Sequence, residues 1–147
     1  MIKLLPILFV LSLLSSASGR KIKFTDCNHG EVKEIDVDPC NKEPCMFKKG
    51  QTATLTVKGI PSNSTDKGQL KLYVLVSDIP VEFPGIEPDI CRHVKCPIIA
   101  GNEYTVVLKI KIEDYFPPMT SVITAKATGP TDQDLILCAS APAGIED

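Results

Sequence analysis

The sequence predicts an all-β fold, an immunoglobulin-like sandwich of two sheets, and three observations carry that expectation. Apolar and polar residues alternate with a period of two in several short runs, as half-buried strands require. Turn-forming residues separate the runs, with 12 prolines and 9 glycines among 147 residues. No window repeats its apolar residues three and four apart, as an amphipathic helix would. Hydrophobic residues make up 44% and charged residues 23%, which excludes a disordered chain, a collagen and a coiled coil. The chain has no Trp, and its cysteines are not placed for the inter-sheet bridge of an immunoglobulin domain proper, so the likeness extends to architecture alone.

The elements follow in order. Met1-Ile2-Lys3 gives a positive start, Leu4 to Leu14 is apolar apart from Pro6 and Ser12, and Ser15 to Gly19 are small. Residues 1–19 therefore read as a secretory signal, cut after Gly19 with Ala17 three positions before the cut. The run is shorter than the roughly 20 apolar residues that cross a bilayer. A secreted, extracellular domain spanning residues 20–147 is expected, with a net charge of −3. That charge offers nothing to neutralise phosphates, so no nucleic-acid partner is expected.

A short strand is expected at Lys21–Thr25. Glu31–Val37 carries Val32, Ile35 and Val37, whose phase slips near Lys33-Glu34, where a bulge is expected. Gln51–Lys58 sets Ala53, Leu55 and Val57 against Thr52, Thr54 and Thr56. Leu70–Ser77 has Leu70, Leu72, Val74 and Val76 on one face. Glu103–Ile112 has Tyr104, Val106, Leu108, Ile110 and Ile112 on one face, with Val107 the exception on the other. Ser121–Thr128 and Leu135–Ala139 complete about seven strands.

Cys27, Cys40, Cys45, Cys91, Cys96 and Cys138 are an even set in an exported chain, which implies disulfides. Six cysteines allow 15 connectivities. Cys40/Cys45 and Cys91/Cys96 are spaced to close small loops; if both do, Cys27 pairs with Cys138. A zinc site from the two C-x4-C pairs is the alternative. Catalytic chemistry is thin. His29 and His93 sit in loop-like segments, no nucleophile elbow or phosphate-cradling loop is present, and oxidised cysteines are not nucleophiles. Asp36/Asp38 and Asp132/Asp134 read as solvated carboxylates, with calcium the alternative. No enzyme activity, cofactor or metal is expected. Asn63-Ser64-Thr65 is an N-glycosylation acceptor in a turn-like segment.

Two segments place apolar residues among prolines: Val81 to Pro88, with Val81, Phe83 and Ile86, and Tyr115-Phe116-Pro117-Pro118-Met119. Read as loops, they either plug the end of a sandwich or rim an opening into an apolar interior.

Several segments together resemble a secreted lipid-recognition (ML) family that includes the Niemann–Pick sterol carrier, the lipopolysaccharide co-receptor of innate immunity and the group 2 mite allergens. They are Asp26-Cys27, Val37-Asp38-Pro39-Cys40, Glu43-Pro44-Cys45, Lys49-Gly50, Phe83 to Asp89, Cys91, Cys96-Pro97-Ile98, Gly101, Tyr104 and Cys138. The stretch from Cys91 to Pro97 and the short tail ending Ile145-Glu146-Asp147 look most like the mite allergens.

The resemblance implies bridges Cys27–Cys138, Cys40–Cys45 and Cys91–Cys96, which clamp two splayed sheets around an apolar cavity. It implies that Phe83, Ile112 and Phe116 govern ligand binding and that Val37, Phe47, Val81 and Ile110 line the wall. Phe116 stands where the sterol carriers have Tyr, and Ile112 where they have the smaller Val, which weighs toward a slimmer lipid than sterol. The expected function is lipid binding and transfer, holding a sterol, fatty acid or similar lipid, in the manner of a mite allergen. The alternative is an extracellular interaction module for a receptor or membrane surface, with lipid only modulating the contact.

Overall fold

In the computed structural model the described residues are 19–147, so the expected signal lies, but for Gly19, outside them. Ten strands form two sheets. They are β1 (Arg20–Lys21), β2 (Thr25–Asp26), β3 (Val32–Asp38), β4 (Cys45–Lys48), β5 (Thr52–Gly59), β6 (Gln69–Val76), β7 (Ile79–Glu82), β8 (Tyr104–Lys111), β9 (Met119–Thr128) and β10 (Leu135–Glu146). The smaller sheet has the order β1-β3-β5-β8. The larger runs β2-β10-β9-β6-β7, and β4 joins β10 in parallel beyond β2.

The regular alternations become the central strands. Val57 pairs with Ile35 and Val106, and Ala53 with Ile110, so the aliphatic faces of β3, β5 and β8 form one continuous inner layer. Thr52, Thr54 and Thr56 face outward. The register between β3 and β5 shifts between Val32 and Glu34, the expected bulge, and it keeps Val32 as well as Ile35 and Val37 buried.

The expected strands are corrected in four places. Lys21–Thr25, expected as one short strand, is split into β1 and β2, which pair with β3 and β10 in different sheets. The segment read as a loop from Val81 begins inside a strand, Ile79–Glu82, paired to β6 through the two-residue turn Ser77-Asp78. Both turn residues have positive φ, 49° and 64°, the conformation of a tight hairpin turn that matches strand twist. Ser-Asp is a weak signal for that turn. Pro80 and Glu82 blunt this exposed edge. Cys45–Lys48 was not expected as a strand at all. The last strand runs to Glu146 rather than stopping at Ala139. Pro142, with no N–H for a ladder, falls at the break between the β2 and β4 pairings and made the run look interrupted.

The disulfides are Cys27–Cys138, Cys40–Cys45 and Cys91–Cys96. With every cysteine oxidised, the zinc alternative is excluded. Their roles differ from the expected common clamp. Cys27–Cys138 joins the neighbouring strands β2 and β10 of one sheet, and Cys91–Cys96 closes a small loop that begins within a single 3-10 turn at Ile90–Arg92. Cys40–Cys45 alone ties the end of β3 in the smaller sheet to β4 in the larger.

Beside the Cys27 bridge, the Asp26 carboxylate accepts the backbone N–H groups of Asn28 (2.9 Å), Gly30 (3.0 Å) and Val32 (3.1 Å). Burial works to raise its pKa, but these donors and nearby Lys33 outweigh it and hold the group below its ordinary 3.8. A depressed folded-state pKa means that the stabilisation is complete above pH 3.8 and is lost as pH falls through the folded value. Asp26→Asn should therefore flatten the acid limb of the stability profile. Urea midpoints measured at neutral pH and in steps below pH 3.8 should fall more steeply for the wild type; parallel profiles would contradict this role.

Candidate functional site: an apolar cavity between the sheets

The inner faces of the two sheets do not meet along their whole length. At the end where Gly59 lies against the Leu137 side chain they close, with Leu70, Ile90 and Ile98 buried in the same core. Toward the other end they part around a cavity of about 370 Å³. Strand β6 records the opening: Leu72 is 3% exposed, Val74 is half-buried and Val76 is 44% exposed.

The smaller sheet contributes Ile35, Val37, Leu55, Val57, Ile110 and Ile112 to the wall. The larger contributes Leu72, Val74, Ile123, Ala125, Ala139 and Ala141. Side-chain size explains the void. On β9 and β10 the inward positions include Ser121, Ala125, Ala139, Ala141 and Ala143, and Ala139 sits directly across from Ala125. Alanine reaches about one carbon beyond the backbone, while two packed sheets lie about 10 Å apart, so opposite these residues the space stays unfilled.

All seven residues singled out from the sequence border this one cavity: Val37, Phe47, Val81, Phe83, Ile110, Ile112 and Phe116. Ile110 and Ile112 are buried in its wall. Phe83 and Phe116 stand at its mouth with ring centroids 5.2 Å apart, and Tyr115 packs edge-on to Phe116 at 4.7 Å. Of the two Pro-rich segments, Phe83 and Phe116 are the aromatic residues that border the cavity. Val81, placed on strand β7, points the same way because it pairs with Val74. The alanines, Ile22, Leu55, Ile123 and Ile145 were not singled out. The A-x-A-x-A spacing at Ala139, Ala141 and Ala143 was the available signal for those three alone.

The wall is almost free of polar groups. The Ser121 hydroxyl donates to the Leu75 carbonyl, and the Glu82 carboxylate turns outward to Lys71 at 4.0 Å. No side chain inside is left to hold a charged group, so a guest that fills the cavity does so by dispersion and by leaving water. The acidic pairs lie elsewhere. Asp36 and Asp38 share the outer face of β3, and Asp134 accepts the Thr131 hydroxyl at 2.8 Å in a turn. The His93 ring bonds the Glu87 carbonyl at 2.8 Å, and His29 uses its backbone N–H to bind Glu31. Among the described residues there is no group of three or more His, Cys, Asp or Glu able to hold a metal ion, and no helix is long and apolar enough to cross a membrane.

Fold and site together define a disulfide-bonded, two-sheet β-sandwich with an apolar chamber open at one end. The ML domain family model matches residues 21–145, and the chain belongs to that family. It is 34% identical over 131 residues to the mite group 2 allergen Pso o 2 of Psoroptes ovis, covering 88% of this chain and 89% of that protein. It is 31% identical over 141 residues to NPC intracellular cholesterol transporter 2 of Sus scrofa, covering 93% of each. Among solved structures, a Niemann-Pick type C2 protein from the Japanese carpenter ant is similar, with a TM-score of 0.73 and 25% identity. That likeness covers 85% of this chain and all of the other.

Proposed function

We propose that the protein is a secreted carrier that holds one lipid between its sheets and passes it on without chemical change. The observation that carries this reading is the cavity of about 370 Å³ with an apolar wall and an aromatic rim. That volume is at the small end of the roughly 300–1,000 Å³ common for small-molecule sites. It favours a single acyl chain or a similarly slim molecule over a sterol. Ile112, buried in the wall, and Phe116, without a hydroxyl at the mouth, point the same way. The relatives named for cholesterol transport support lipid as the ligand class. Export is supported by the N-terminal signal pattern and by the three disulfides.

The binding residues proposed are Val37, Phe47, Val81, Phe83, Ile110, Ile112 and Phe116. Titration of the delipidated protein with a fluorescent fatty acid tests the reading, with saturation at one equivalent and competition by unlabelled lipid expected. Phe83→Ala removes one of the two rings at the mouth. It should weaken binding about tenfold, equivalent to ~1.4 kcal/mol, with all three disulfides retained. Unchanged affinity would remove Phe83 from the site.

A second reading has one observation in its favour. Tyr115 is 72% exposed, Ile79 64% and Val81 47%, all near the mouth. Such a rim suits contact with a receptor or membrane surface during delivery. Binding of the lipid-free protein to neutral vesicles in a flotation assay would favour this role as an independent one.

A further inference from the structure

The pole of the sandwich away from the cavity mouth carries its own concavity, an open groove of about 680 Å³. Asn63, Ser64 and Thr65, then Pro97, Ile98 and Ile99, and then Gly129, Pro130 and Ile136 line it. The first two of these segments are knitted together. Thr65 and Ile98 exchange backbone hydrogen bonds of 3.0 and 2.7 Å, and the Ala100 N–H donates to the Ser64 hydroxyl at 2.8 Å. The groove is therefore preformed, yet Ile99 is 48% exposed on it.

We infer that Asn63 is N-glycosylated and that the first sugars of its glycan lie in this groove, covering Ile99 and Pro130. The inference rests on the secretory reading of the N-terminus and is independent of lipid binding. Asn63-Ser64-Thr65 is the one Asn-x-Ser/Thr sequence among the chain's four asparagines. Asn63 sits exposed in a bend at the groove's edge. The occupant is set by covalent attachment: a sugar linked to the Asn63 Nδ2 has its first N-acetylglucosamine within reach of the groove, and the ring's apolar face suits the prolines and Ile99.

In the transfer step the Asn63 Nδ2 bonds to the anomeric carbon of an oligosaccharide carried on a lipid pyrophosphate. The bond from that carbon to the pyrophosphate oxygen breaks, the lipid pyrophosphate leaves with the electron pair, and the amide gives up one proton. No oxidation or reduction is involved. In the folded protein the Thr65 hydroxyl is committed to the Lys67 carbonyl at 2.6 Å. Transfer therefore precedes folding, on the nascent chain.

The test is expression of the full chain in a eukaryotic secretory host, followed by intact mass before and after peptide-N-glycosidase treatment. One glycan is expected on the wild type and on Thr65→Ser, and none on Asn63→Gln or Thr65→Ala. A wild-type chain that leaves the cell without a glycan overturns the site. Hydrogen exchange reads the second half of the inference. The amides of Ile99 and Ala100 should exchange several-fold more slowly in the glycosylated protein than in Asn63→Gln, and equal rates would overturn packing of the sugars in the groove. Fluorescent fatty acid uptake should be the same with and without the glycan, because the mouth is at the other pole. Loss of uptake in both forms would count against the carrier reading alone.

Discussion

Replacing Ala125 and Ala139 together with Leu should close the cavity and abolish lipid uptake while the protein remains folded. The two alanines are cross-strand neighbours on β9 and β10, and both border the void. Each substitution adds three carbons, so the pair removes room for about six carbons of a guest. At roughly 0.8 kcal/mol per buried methylene, excluding that much acyl chain costs a ligand on the order of 5 kcal/mol. A loss of affinity of a hundredfold or more is the expected result of the fatty acid titration. The added methyl groups gain the dispersion contacts that the empty space lacks, and this gain offsets the roughly 1–3 kcal/mol of strain seen when a tight core is overfilled. The delipidated variant should therefore unfold within a few degrees of the delipidated wild type. Val122→Leu on the outer face of β9 is the control and should bind normally. Retained uptake in the double variant would move the ligand out of the inter-sheet space.

Removing the Cys27–Cys138 bridge with a double alanine variant should give the largest single loss of stability. The bridge spans a sequence separation of 111 residues, so it removes more chain entropy from the unfolded state than the two local bridges, each spanning 5. In the chain-entropy model the long bridge contributes roughly 4–5 kcal/mol and each short one roughly 2. For a domain of this size the long one corresponds to a fall in Tm of roughly 15 °C. Thermal unfolding by circular dichroism checks the order: Cys40→Ala with Cys45→Ala should cost less stability. That second variant should nevertheless affect ligand retention more, because its bridge is the one that joins the two sheets beside Phe47 and Val37. An equal or reversed order of stabilities would show that the bridges do not act mainly through the unfolded chain.

The strand pattern was legible wherever one face is buried and the other wet. Thr52 to Lys58 and Tyr104 to Ile112 could be read directly, and the phase slip at Lys33-Glu34 marked a real bulge. Legibility failed where tertiary partners decide. Strand β4 is four residues long and exists because the end of β10 offers it a parallel edge. Strand β7 depends on a hairpin turn with positive φ at Ser77 and Asp78, residues that do not announce one.

The site was legible in a different way. Alternation could not tell a packed core from a cavity wall, since Ile110 and Ile112 would look the same in either. The placement of Phe83, Phe116 and the wall positions came from family likeness. The feature that creates the void, small side chains on Ala125, Ala139, Ala141 and Ala143, was in the sequence but had no meaning until the two sheets were seen to face each other.

Native mass spectrometry of the purified protein, followed by solvent extraction and lipid analysis, tests the central claim most directly. The account predicts a one-to-one adduct of lipid mass that disappears on extraction, yields a slim apolar molecule, and is absent from Ala125→Leu, Ala139→Leu. A wild-type chain that carries no lipid and takes up none when offered it would contradict the account.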